Sequence, residues 1–211
     1  MDGAALLRAL ADLLVASSLA LLVVRPARWS IALLSAQGCV LALLALAAAP
    51  GPGGWVGAAV IVATKAGGIP AALWWAARRT GSDRAVDWAS SWAWVIGAAT
   101  VLAADLALPT FTAGLAPEHA ALLGSALTVL LLGLAGMVSG RLLLAQALHL
   151  VVIENGLYCA GLALTGGLPA ALELGAAVDL LLVVFVLVWL SHHVHRLRLP
   201  LEVDELRRLR G

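Results

Sequence analysis

The chain has 211 residues, 63% of them hydrophobic and only 12% charged, with a formal net charge of +1. That composition lies outside the range of ordinary globular domains and predicts an all-α integral membrane protein. One crossing takes about 20 apolar residues, so the successive apolar runs leave no room for a soluble domain.

Hydropathy and its breaks predict seven transmembrane helices, at 4–24, 30–49, 55–77, 89–108, 119–138, 142–165 and 170–190. Arg25-Pro26 ends the first, "APGPGG" (49–54) separates the second from the third, "RRTGSDR" (78–84) follows the third, and "TGGLP" (165–169) divides the last two. The first segment lacks the charged front and small-residue cleavage site of a secretory signal and is expected to remain as a helix.

Arginine sets the expected orientation. With the N-terminus outside, Arg25, Arg28, Arg78, Arg79, Arg84, Arg141, Arg196, Arg198, Arg207, Arg208 and Arg210 fall on the cytoplasmic side and Arg8 alone falls outside. This is the asymmetry expected of a multi-pass protein of the inner (cytoplasmic) cell membrane with its C-terminus in the cytoplasm. All eight tryptophans lie near predicted helix ends, where interfacial aromatic belts form.

Setting aside charges near helix ends leaves Lys65, Glu154 and Asp179, each within a residue or two of a predicted helix midpoint. An aspartate or lysine at a helix centre costs roughly 2.5 to 3.5 kcal/mol on insertion scales. Such groups mark a proton or ion pathway, or else a buried ion pair that fixes helix register. Lys65 is the sole lysine among 13 basic residues; unlike arginine, a buried lysine can lose its proton. Gly67, Gly68 and Pro70 follow it closely and are expected to loosen the helix and free backbone groups.

Gln146 and His149 lie three apart on one face of the sixth helix and lead from Arg141 toward Glu154. His149 and Glu154 are separated by about 7 Å along the helix axis, so a link between them needs water or another helix. Asp12 and Asp105 are expected to be solvated. The three histidines of "SHHVHRLRL" (191–199) read as a positively charged helix end, with no metal expected. Cys39 and Cys159 stand apart without a CxxC pair, which leaves iron–sulfur ligation and a disulfide framework unsupported. No phosphate loop, nucleophile elbow or paired-histidine motif is present, so neither a catalytic residue nor a cofactor is expected. "GMVSG" (136–140) has the small-xxx-small spacing of close helix packing.

The chain also resembles itself. An offset of 118 places Gln37-Gly38 on Asn155-Gly156, Leu44-Ala45-Leu46 on Leu162-Ala163-Leu164, and "GAAV" at 57–60 on "GAAV" at 175–178. The expected organisation is a three-helix unit over 1–86, a connector helix over 87–110, and a second three-helix unit with a cytoplasmic tail over 111–211. In this alignment Glu154 stands opposite Ala36 and Asp179 opposite Ile61, so the first unit lacks both carboxylates and carries a cation instead.

The run "VIENGLYCAGLAL" followed by "GAAVDLLLVVFVLVWL" resembles the second and third helices of the K subunit of respiratory complex I and of the related C subunit of multisubunit sodium/proton antiporters. Those subunits carry one carboxylate in each of the two helices. Over nearly the whole length, "VATKAGGIPAALWWAARR", "ENG", "AAVD" and the closing "LEVDELRRLRG" are similar to the component E family of hydrogenase-4, membrane subunits of formate hydrogenlyase-like energy-converting hydrogenases.

The resemblance implies a membrane-arm subunit without a redox centre of its own. Glu154 and Asp179 would belong to a hydrated mid-membrane axis, and Lys65 matches the family's lysine. Asp179 departs from the glutamate of the complex I pattern by one methylene. Implied partners are antiporter-like and other membrane subunits, a peripheral hydrogenase or redox module, and the lipid bilayer, with no nucleic acid. The rival expectations are a self-contained small cation or proton transporter and a passive anchor for catalytic subunits.

Overall fold

The computed structural model describes residues 3–24, 26–80, 92–140 and 143–165, together with Phe185. Helices α1 (Gly3–Val23), α2 (Ala27–Ala48), α3 (Pro52–Ile61), α4 (Ile69–Thr80), α5 (Trp92–Thr112), α6 (Pro117–Ser139) and α7 (Leu143–Thr165) account for nearly all of them, and no strand occurs among the described residues. A seven-residue π-helical segment, Val62–Gly68, joins α3 to α4, so one rod spans the predicted third helix. The predicted seventh helix, with Asp179, and the tail after it lie outside the described residues.

Among the described residues five rods, α1, α2, the α3–α4 rod, α6 and α7, are long and apolar enough to cross a membrane, and α5 adds a shorter apolar stretch, Val95–Thr110. The outside of the bundle is itself apolar: Leu43, Leu102, Leu106, Leu157 and Leu164 are all exposed. Polar residues go inward instead, with Ser18, Ser30, Gln37, Lys65, Thr128, His149 and Asn155 buried. That inversion suits lipid, which solvates leucine and leaves polar groups to find partners within the protein. The chain is an all-α membrane protein.

Local chemistry explains the element boundaries. Pro26 precedes α2, while Pro52 and Pro117 open α3 and α6 at positions where a missing N–H costs nothing. Gly114, with φ of 87°, turns the chain between α5 and α6. Short connections make α1/α2, α2/α3, α5/α6 and α6/α7 antiparallel neighbours. Two aromatic–cation pairs mark the end of the bundle predicted to be cytoplasmic: Arg28 over Trp29, 5.7 Å from the ring centre, and Arg78 over Trp74, at 5.0 Å.

Packing runs in a continuous core. α6 lies along α7, α1 touches α2, α5 and α6, and α2 touches α7 and the whole α3–α4 rod. Leu14, Leu21, Leu34, Leu41, Leu44, Leu132, Leu148 and Leu162 fill it. Close approaches occur where side chains are absent. A Cβ on Gly38 of α2 would lie 2.6 Å from the Ala66 nitrogen, and one on Gly156 of α7 would lie 2.7 Å from the Leu130 nitrogen of α6.

Candidate functional site

Lys65 sits at the centre of the π segment, and the proline sequence "GGIP" is the local reason for its irregular backbone. Pro70 has no N–H to offer the Ala66 carbonyl one turn back. The Ile69 N–H reaches back five residues to the Thr64 carbonyl, which is the π pattern. Ser35 of α2 supplies the missing donor: its hydroxyl donates to the Ala66 carbonyl at 2.6 Å. Ser35 and Gly38 lie on one face of α2, so the helix that repairs the backbone also presses against it.

This geometry aims Lys65 at α7. Its ammonium forms an ion pair and hydrogen bond with the Glu154 carboxylate and donates to Asn155 Oδ1 at 3.2 Å. The Tyr158 ring, one turn beyond Glu154, lies 5.2 Å from Nζ and presents its face to the cation. Lys65 is 3% exposed, whereas Glu154 keeps an open edge at 19%.

The polar contacts continue past Asn155. Its Nδ2 donates to Gln37 Oε1 at 3.3 Å, and Gln37 Nε2 donates at 3.0 Å to the hydroxyls of both Ser17 and Ser18. The serine hydroxyls in turn donate to the Leu14 carbonyl at 3.0 and 2.8 Å. Glu154 lies eleven residues from either end of α7, and Lys65 and Gln37 are close to the middles of their own rods. One polar cluster at a single depth thus ties together α1, α2, the π segment and α7.

Of the residues singled out by sequence, Lys65 and Glu154 come together and Asp179 lies outside the described residues. His149 and Gln146 are turned to the backbone of the α6–α7 corner. His149 Nδ1 donates to the Ala145 carbonyl at 2.8 Å, and the ring is buried against Gly136, whose missing side chain makes room for it. Gln146 donates to the Gly140 carbonyl at 3.3 Å, closing the end of α6. The "GMVSG" glycines therefore accommodate His149 and Gln146.

Gln37 and Asn155 were missed as site residues. The signal was present, since both are amides at mid-helix and occupy equivalent places in the 118-residue offset. A search restricted to charges passes over them.

Asp105 lies deeper than expected, and Asp12 lies where its predicted helix put it. α5 runs on to Thr112, so Asp105 lies two turns inside its helix, and Asp12 lies near the middle of α1. Both are exposed and border a groove of about 640 Å³ between α1, α5 and α6, with Ser125 and Thr128 on its α6 wall. Neither makes a hydrogen bond or ion pair among the described residues. Cys39 is exposed and Cys159 buried, both as free thiols. No group of three metal-ligating side chains forms among the described residues.

The arrangement defines a membrane protein built around a mid-depth lysine–carboxylate pair. Among known proteins, the uncharacterized protein Rv0085 of Mycobacterium tuberculosis (strain ATCC 25618 / H37Rv) is 33% identical over 86 residues, 41% of this chain. The match spans 39% of that relative's length. No protein-family model matches the chain, and no solved structure does.

Proposed function

We propose that the chain is a non-catalytic membrane-arm subunit of a complex I-like, energy-converting oxidoreductase of the hydrogenase-4 type. It resides in the inner cell membrane with its N-terminus outside, and Lys65 and Glu154 serve proton translocation or its coupling. The observation that carries this is the meeting of the single lysine and Glu154 at mid-depth on an irregular turn. In a low-dielectric interior the ion pair and the neutral pair differ by one proton moved over a single hydrogen bond, so a nearby charge can tip the balance between them. Glu154, the less enclosed member of the pair, is the side on which that proton enters and leaves.

The proposed duplication supports the same reading. Helices related by the offset touch each other, α1 with α6 and α2 with α7. The equivalent residues Gln37 and Asn155 bond directly. Such self-contacts are expected of two parallel copies about an axis along the membrane normal. The cation of one copy then meets the carboxylate of the other. Asp179 of the predicted seventh helix would continue the path.

The test is Glu154→Gln in the assembled complex. Coupled proton transfer should be lost while subunit assembly, followed by co-purification, is retained. Loss of the complex itself would favour the passive-anchor role, in which the polar cluster holds the register of α1, α2 and α7. Purification of the native chain as a solitary oligomer would overturn the subunit assignment and favour a self-contained transporter.

A further inference from the structure

The hydrogen bonds that leave Lys65 all run one way. Lys65 donates to Asn155, Asn155 to Gln37, Gln37 to Ser17 and Ser18, and both serines to the Leu14 carbonyl. The order begins at its far end. Because the Leu14 carbonyl can only accept, each serine proton is committed to it, and each serine oxygen is left as an acceptor. Gln37 must then turn its NH₂ toward α1 and its carbonyl toward α7, and Asn155 must turn its NH₂ toward Gln37 and its carbonyl toward Lys65. Reversing either amide would set donor against donor at a site where Gln37 and Asn155 are each 1% exposed.

We infer that Gln37 and Asn155 are positioning residues that hold the Lys65 ammonium against Glu154 and close its α1 side to proton movement, so that among the described residues Lys65 exchanges protons through Glu154. The chemistry of the string requires a dead end. An amide neither takes up nor releases a proton in the physiological range, and the serines beyond it are separated from Lys65 by two amides in series. Glu154, by contrast, is both titratable and open at one edge. The inference rests on the proposed proton-transfer role and assigns its polarity.

The experiment uses membrane vesicles holding the assembled complex, driven by the electron donor its co-purified redox module accepts, with proton uptake followed by an acridine dye. Asn155→Leu should lower the rate per assembled complex roughly tenfold, the effect of losing one hydrogen bond to a charged group, and Gln37→Leu, which removes the neutral bond that orients Asn155, roughly fivefold. The Asn155 variant should also move the pH of half-maximal rate by about one unit, because a neighbour of the ionising pair has changed, and the Gln37 variant by less in the same sense. The titratable groups facing Lys65 in that titration are Glu154, Tyr158 and Cys159 on α7. The double variant Ser17→Ala/Ser18→Ala keeps both amides and removes what orients them; it should slow uptake only a few-fold and shift the profile in the same sense.

Unchanged rates and profiles in all three variants, with Glu154→Gln inactive, would overturn the positioning role and leave the proton-transfer reading standing. Complete loss in the serine variant with an unshifted profile in the amide variants would show that the α1 branch conducts, and would also overturn it. A Glu154→Gln complex with full uptake would instead remove the proton-transfer reading itself.

Discussion

The molecule handles charge in the membrane in two ways. Around Lys65 the cation is enclosed by a carboxylate, a carbonyl and an aromatic face, and each further polar atom is passed on to another partner until the string ends on backbone. In the groove between α1, α5 and α6, Asp12 and Asp105 are exposed and make no such bonds among the described residues. The two regions have comparable depth and comparable residue types. What separates them is that one has its counter-charge among the described residues and the other does not. The comparison teaches that a membrane-embedded charge becomes part of the architecture when a facing helix supplies its partners, as α7 does for Lys65, and further helices satisfy those partners in turn.

The largest expected effect comes from breaking the enclosed pair on one side. Lys65→Leu leaves Glu154 without its cation, and unfolding in detergent should show a loss of about 3 kcal/mol, the lower end for a buried pair because Glu154 keeps an open edge. Adding Glu154→Leu should restore most of it. A single variant as stable as the native chain would erase the distinction between the two regions. Next is the contact that seats the π segment: Gly38→Ala puts a Cβ against the Ala66 backbone and should cost about 1 to 3 kcal/mol in the same assay. The smallest effect belongs to the groove. Asp12→Asn and Asp105→Asn remove no bond described within the chain, so each should change the stability of the purified chain by no more than about 0.5 kcal/mol. A larger loss would show that these carboxylates are tied in as firmly as Glu154.

Much of the site was legible because depth is a local property. Counting residues from helix ends was enough to bring Lys65 and Glu154 to one level, and "GGIP" was enough to expect an irregular backbone beside the lysine. His149 shows where such counting fails. Its spacing from Gln146 suggested a polar stripe toward Glu154, yet Gly136 opens a socket for its ring and the ring Nδ1–H donates to the Ala145 carbonyl one turn back, so packing against α6 sets where the imidazole lies. Asp105 shows the same limit at an element boundary, since α5 continues through Pro109 to Thr112 and carries the aspartate inward.

By itself the sequence determined the helical membrane architecture, the approximate spans of the rods and the common depth of Lys65 and Glu154, because hydrophobicity and helix breakers act within a few turns. Only the tertiary structure decided which polar groups face one another: that Glu154 is the partner of Lys65, that Gln37 and Asn155 complete the cluster, and that Ser35 repairs the π turn. The physical reason is that these helices are apolar almost all round, so no hydrophobic stripe sets their rotation. Rotation is set by where glycines let backbones meet and where buried donors find acceptors, and both depend on residues far apart in the chain.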